Sequence, residues 1–292
     1  MTVVTLGGMD DALYLDGRGL TELPAAVRGM RGLRHLDVRN NQLTTLPDWL
    51  AELPALESLS IGGNPLRGIP PAVTALTRLR RLYVHELELE RVPDALGDLR
   101  ELRVLDLGHN RLSTLPPGFA RLTRLEVLYL ADNRLAVLPE PVRALRGLRY
   151  LGATDNGLAA VPDWIGELDR LVELRLYRNA LPALPASIGR LRDLRELHLL
   201  GNRIEELPDA IGELPELRHL ELRGNALLRV PESIARLTRL RVLDLRANRL
   251  SALPDAAGDL PALEKLDLRW NRFVDPPPAA APLRERGCVV LT

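Results

Sequence analysis

The stretch LRVLDLGHNRLSTLPPGFARLTR, residues 102–124, carries two different hydrophobic periods within one short segment. Leu105 and Leu107 alternate with polar neighbours, the period of a short strand with one side buried. After Leu115-Pro116 the apolar residues Phe119 and Leu122 stand three apart, which suits a helical turn. A strand followed by half a helix cannot bury its apolar side alone, so such a unit needs a copy of itself on either side.

The rest of the chain supplies the copies. With Leu33 as the first position, leucine returns at Leu56, Leu79, Leu102, Leu125, Leu148, Leu171, Leu194, Leu217, Leu240 and Leu263, always 23 residues on and without insertion or deletion. Each unit reads LxxLxLxxNxLxxLPxxIxxLxx. Degraded copies flank the array, as the terminal repeats of a solenoid do. Upstream, ALYLDGRGLTELPAAV (12–27) keeps Leu13, Leu15, Leu20, Leu23 and Pro24 but has Arg18 where Asn belongs. Downstream, Val289 and Leu291 fall in phase with Leu266 and Leu268. The expected organisation is one repeat domain over 1–292: a cap at 1–9, a degenerate first repeat at 10–32, eleven repeats over 33–282 with the last irregular, and a capping strand at 283–292.

Two other recurrent residues have structural roles. Asn41, Asn64, Asn110, Asn133, Asn156, Asn179, Asn202, Asn225, Asn248 and Asn271 stand where the strand turns outward. An amide there can donate to and accept from the buried backbone of adjacent turns, which predicts an asparagine ladder. Asp48, Asp94, Asp163, Asp209 and Asp255 each follow a proline, as suits a first helical turn with an acid near its positive end.

In these residues the chain resembles the leucine-rich repeat proteins, and among them the Leu-Pro type with a 23-residue period found in Ras-group, Roco-associated and bacterial intracellular proteins. The resemblance covers about residues 10–292. It implies an α/β fold, a curved horseshoe solenoid with a parallel concave β-sheet of about 13 short strands and short helical or 3-10 turns on the convex side. It implies no reaction.

Composition narrows the function classes. Lys plus Arg and Asp plus Glu both number 39, so the net charge is zero and there is no overall basic field for nucleic acid or an anionic membrane. A single cysteine, Cys288, excludes an intramolecular disulfide. The start MTVVTLGGMDDALYL lacks the basic and long apolar regions of a signal peptide, so a cytosolic protein is expected, and Lys265 as the only Lys among the basic residues suggests GC-rich coding and a bacterial source. No Gly-rich phosphate loop, nucleophile elbow or zinc-spaced cysteines occur, so neither an enzyme nor a cofactor is expected.

Function is therefore sought at positions the repeat leaves free. The third, fifth, seventh and eighth positions of each unit are expected to form an exposed grid on the concave face. All five Tyr and all five His occupy these four columns. Random placement over the roughly thirteen non-core positions would do this with a chance on the order of 10⁻⁵, so the face reads as a binding surface. Its middle carries Tyr83, His85, His109, Val127, Tyr129, Tyr150, Arg175, Tyr177, Arg178, His198 and Leu200, the residue types that dominate interface energetics together with apolar neighbours. Further on, Glu221 with Arg223, Asp244 with Arg246 and Asp267 with Arg269 read as exposed, self-neutralising pairs.

Three local features stay open. In YVHELELERVP (83–93) Leu87 stands where Asn belongs, and either packs inward or reshapes a loop presenting Tyr83, His85 and Glu86. A metal site can be drawn from His198, His219, Glu173, Glu196 and Glu221, although such residues meet by accident on an exposed grid. Trp49 and Trp164 either shield neighbouring prolines or form a second contact surface. The reading that follows is a non-enzymatic, monomeric scaffold that takes a protein or peptide on its concave face, with no nucleic acid and no membrane. The rivals are an enzyme or metal-dependent site on the His/Tyr/Glu surface and a self-associating structural protein.

Overall fold

The computed structural model describes residues 11–292, so the cap expected at 1–9 lies outside the described residues. Two compact units divide the chain: Met1–Arg134 with Pro139–Leu145, and Leu135–Leu138 with Arg146–Thr292. The same repeat builds both.

In the first unit the strands are β1 (Ala12–Tyr14), β2 (His35–Asp37), β3 (Ser58–Ser60), β4 (Arg81–Tyr83), β5 (Val104–Asp106) and β6 (Val127–Tyr129). They pair in parallel in sequence order. The second unit holds β7 (Tyr150–Gly152), β8 (Glu173–Arg175), β9 (Glu196–His198), β10 (His219–Glu221), β11 (Val242–Asp244), β12 (Lys265–Asp267) and β13 (Val289–Leu291), again parallel and in order. Each strand is three residues long with its middle residue turned inward. Leu105 opposite Leu128 and Leu174 opposite Leu197 are examples, all fully buried.

The last pairing departs from the expected phase. Lys265 faces Val289 and Leu266 faces Val290, a step of 24 residues, so Val290 takes the inward position and Val289 is 54% exposed. The cause is the segment that precedes it. Here the usual turn is replaced by a short helix, α2 (Ala280–Glu285), which crosses the expected boundary at residue 283 and adds one residue to the unit.

On the return path, among the described residues, ten five-residue 3-10 turns follow a Leu-Pro or Val-Pro step. One α-helical turn, α1 (Pro71–Thr74), replaces the 3-10 form after Pro70. The proline fixes an extended residue before each turn, and the few residues available close i to i+3 bonds, as Phe119 N–H to Pro116 O at 3.0 Å. No side chain caps these turns. The acid after proline does other work in at least one unit: Asp94 accepts from Gly118 N–H and from Arg121, both in the next repeat. Successive turns come so close that a Cβ on Gly212 would stand 2.2 Å from Ser233 O, which explains glycine there.

The asparagine ladder is present at all ten positions. Each Oδ1 accepts from the backbone N–H 21 residues earlier, as Leu112 N–H to Asn133 at 2.9 Å and Leu181 N–H to Asn202 at 3.1 Å. The Nδ2 of Asn133 donates to Leu107 O and Leu130 O, and that of Asn202 to Leu176 O and Leu199 O. One side chain thus serves donors and acceptors in two consecutive turns that no strand pairing reaches. Among the described residues, no helix is long and apolar enough to cross a membrane.

Candidate functional site: the exposed strand face

Because the strands are only three residues long, the third and fifth positions of each unit lie on them, whereas the seventh and eighth follow in the turn. The eighth residue is left-handed wherever it is not glycine: Asn40, Glu86, His109, Asp132, Asp155, Arg178, Ala247 and Trp270 have φ between 50° and 61°. The expected four-column strand grid is therefore two strand columns and two turn columns.

In the first unit, Tyr83 and Tyr129 share the fifth-position column but Asp106 stands between them in register. Val127 neighbours Val104 in the third-position column and is half-buried. His85 packs over Gly62, where a Cβ would stand 2.6 Å from the ring. The Asp106 carboxylate, 3.4 Å from Nδ1, holds the His85 pKa above its ordinary value against the opposing effect of burial. His109 Nδ1 lies 2.9 Å from Asp132 Oδ2, joining the left-handed residues of consecutive repeats.

The gap in the ladder is resolved here. Leu87 is buried, at 1% exposure, and β4 is no longer than the other strands. The backbone nonetheless takes a different path, with Glu88 left-handed, and Asn110 Oδ1 accepts from both Leu87 N–H (3.1 Å) and Leu89 N–H (3.0 Å). The Leu66 N–H, which an Asn at 87 would have served, bonds Asn64 O instead. Inward packing and a reshaped loop occur together.

The second unit brings more of the expected residues into contact. The Tyr150 ring lies across Gly152, its hydroxyl 2.9 Å from where a Cβ would be, and the Arg175 guanidinium stands 5.6 Å from the ring centre. Arg175 also pairs with Glu173. Arg178 sits 5.6 Å from the Tyr177 ring centre and 3.3 Å from Asp155 Oδ1. These contacts bias two aromatic rings and their guanidinium groups toward these positions, by about 0.5–1 kcal/mol each at such exposure. Leu200 follows β9 and is half-buried.

His198 is fixed most tightly. Its Nδ1 is 3.0 Å from Glu221 Oε2 on β10 and its Nε2 3.1 Å from Glu196 Oε2 on its own strand, while His219 Nδ1 lies 3.8 Å from Glu196 Oε1. Two carboxylate acceptors require both ring nitrogens to donate, which only the imidazolium can do. Burial and Arg175 push the pKa down, but the two carboxylates more than offset them and His198 titrates above its ordinary value. Its protonation therefore stabilises the fold below the unfolded-state pKa, and this contribution fades as pH rises through the higher folded-state value. His198→Gln should lower the melting temperature most near pH 5.5, and the gap from the parent should shrink by pH 8. A gap that widens with pH would contradict the assignment. Glu173, Glu196 and His198 also place ligand-type atoms within 4.8 Å of one another, although Arg175 already holds Glu173 and the two carboxylates already hold His198.

Elsewhere the face differs from expectation. Asp267 is 1% exposed and pairs with Arg246 and Arg269, and Asp244 is 9% exposed and pairs with Arg246. The carboxylates of these pairs are buried while the arginines stay partly exposed: each guanidinium reaches back along its strand toward the carboxylate. Glu221 turns to His198 rather than Arg223, which stacks on Trp270 at 6.0 Å. Four second-position arginines pair with acids of the same column: Arg34 and Arg80 with Glu57, Arg103 with Glu126 and Arg241 with Glu264. Trp164 is 8% exposed within its 3-10 turn, and Trp49 is half-buried. Glu196 and Glu221, expected beside His198 only as members of a possible metal site and not of the binding surface, are its two hydrogen-bond partners.

A family profile described as a leucine-rich repeat region matches residues 186–276, and one described as leucine rich repeat matches residues 11–66, 77–135 and 100–158. The chain belongs to the leucine-rich repeat proteins. It is similar to the leucine-rich repeat ectodomain of the membrane receptor kinase GASSHO1/SCHENGEN3 from Arabidopsis thaliana, solved in complex with CASPARIAN STRIP INTEGRITY FACTOR 2. That match has 28% identity and a TM-score of 0.72 over 86% of this chain and 34% of the receptor chain. A TDR receptor is 26% identical with a TM-score of 0.74, over 96% of this chain and 55% of that one. The repeat protein thus spans about a third and about half of these two relatives. An internalin (InlF) from Listeria monocytogenes shares the fold at 23% identity and a TM-score of 0.73, over 96% of this chain and 86% of that one. No curated protein matches the chain significantly.

Proposed function

We propose that this leucine-rich repeat protein is a non-enzymatic scaffold that takes a protein or peptide partner on the exposed strand face. The observation that carries the reading is the pair of tyrosine–arginine stacks in the second unit, Tyr150 with Arg175 and Tyr177 with Arg178. Tyrosine and arginine are the side chains most often found as interface hot spots, and a surface already held in place loses little entropy on binding. His198 and Leu200 extend the same surface. In the first unit Tyr83, His85, His109, Val127 and Tyr129 make the corresponding set. The complex formed by the Arabidopsis receptor ectodomain supports the class of function, as does the general use of this repeat for recognition.

The test is a Tyr150→Ala, Tyr177→Ala double variant of the full chain. A partner is first captured with the parent protein and then titrated calorimetrically against both forms. Affinity should fall by about 2 kcal/mol or more, as when aromatic hot spots are truncated, with an unchanged circular dichroism spectrum. A Tyr83→Ala, Tyr129→Ala variant asks the same of the first unit. Undiminished binding by both variants would overturn the reading.

A further inference from the structure

One strand of the first unit differs from its neighbours. On β3 and the turn after it, the four open positions are Ser58, Ser60, Gly62 and Gly63, whereas β2 and β4 carry His35, Asp37 and Arg39 on one side and Arg81, Tyr83 and His85 on the other. Three small side chains in register with large ones leave a notch across the strand face, a cavity of about 370 Å³. That volume suits one small side chain or chain end.

The chemistry of its lining is specific. Ser60 is 8% exposed and its Oγ, buried in the lining, has no hydrogen-bond partner. A buried hydroxyl left unsatisfied costs about 1–3 kcal/mol, so natural structures rarely keep one without a reason. At the rim, Arg81 has no carboxylate partner among the described residues, and its Nη2 comes only within 3.5 Å of His35 Nδ1. The other charges of the lining pair with each other: Asp37 accepts from Arg39 N–H and lies 3.3 Å from the Arg39 guanidinium, which Asp16, outside the lining, also approaches at 3.6 Å. His85 is held over Gly62 by Asp106 and closes one end. The notch therefore offers one unneutralised cation with a forked donor and one orphan hydroxyl.

We infer that this notch is a subsite for a single carboxylate of a bound peptide, with Arg81 donating through its fork and Ser60 Oγ–H donating from the floor. One negative charge balances the one free guanidinium, and a planar carboxylate matches its geometry. A doubly charged phosphate would leave excess charge beside Asp37. The inference rests on the reading of the strand face as a peptide-binding surface and adds the chemistry of one anchoring group. The carboxylate is either a chain terminus or an Asp or Glu side chain.

The experiment is an NMR titration of the full chain with N-acetylglycine, which presents a terminal carboxylate, with N-acetylaspartate amide, which presents a side-chain one, and with neutral N-acetylglycinamide. The expected result is saturable shifts at the Ser58–Ser60 amides and the Arg81 Nε–H with at least one carboxylate and none with the neutral probe; the tighter carboxylate identifies the source. Arg81→Gln should weaken this binding by about tenfold or more and Ser60→Ala by several-fold, in line with the loss of a charged and a neutral hydrogen-bond donor. Absence of saturable shifts with either carboxylate, equal shifts with the neutral probe, or unchanged binding by Arg81→Gln overturns the subsite. None of these outcomes touches partner binding by Tyr150 and Tyr177, so the two readings fail separately.

Discussion

Asn110→Leu should lower stability by about 4 kcal/mol, because it leaves several buried backbone groups unpaired at about 1–3 kcal/mol each before relaxation. Asn110 serves more of the backbone than an ordinary ladder residue. Its Oδ1 accepts from Leu87 and Leu89, and its Nδ2 donates to Val84, Leu107 and Gly108 carbonyls at 3.0 Å each. The chain already holds the same substitution one repeat earlier, at Leu87, and there the turn bends so that Leu66 N–H reaches Asn64 O. The N–H that Asn110→Leu would orphan in the same way is that of Leu89, which bonds Asn110 Oδ1 at 3.0 Å and makes no such backbone bond. Gln42→Leu makes a similar change in polarity at an exposed position and should move stability by less than about 0.5 kcal/mol. Chemical denaturation measures both. Equal stability of the two variants would mean the ladder contributes nothing.

How much of this was legible in the sequence follows from the period. A constant spacing of 23 residues puts each unit's fourth position opposite the next unit's, so the strand order, the inward leucines and the ladder could all be read before any coordinates. Legibility ended where one residue changed the count or where a long side chain chose among neighbours. The extra residue around α2 shifted β13 by one, so Val290 rather than Val289 faces Leu266. Nothing in the alternation says that Arg246 and Arg269 fold back to bury Asp244 and Asp267, or that Glu221 prefers His198 to Arg223. Those choices depend on side-chain reach across strands about 4.8 Å apart, where several partners are equally near. The notch at Ser58 and Ser60 was visible as a row of small residues between rows of large ones, but only when the units are aligned as columns.

Deleting residues 283–292 should destabilise the second unit by about 3 kcal/mol or more, given about 1.5–3 kcal/mol for each large apolar side chain returned to water. Leu283 is 1% exposed, and β13 covers the edge of β12, with Leu268 N–H bonded to Leu291 O and Val289 N–H to Glu264 O. Without them Leu266 and Leu268, now fully or almost fully buried, meet solvent beside an unpaired strand edge. An exposed edge of this kind pairs with other chains, so the truncated protein should self-associate as well as melt earlier. Thermal scans with light scattering test both effects. An unchanged melting temperature and a monodisperse solution would show that the terminal segment is no cap.

The claim that the strand face is where a partner binds is tested most directly by hydroxyl-radical footprinting of the full chain, alone and saturated with its captured partner. Radical attack reads side-chain access at each aromatic residue, and this protein has aromatics on both sides of its repeats. On the strand-face reading, oxidation of Tyr150 and Tyr177 falls several-fold in the complex while Trp49, half-buried on a 3-10 turn, is attacked as before. Protection of Trp49 with undiminished attack on Tyr150 and Tyr177 would put the partner on the turn side and contradict the account.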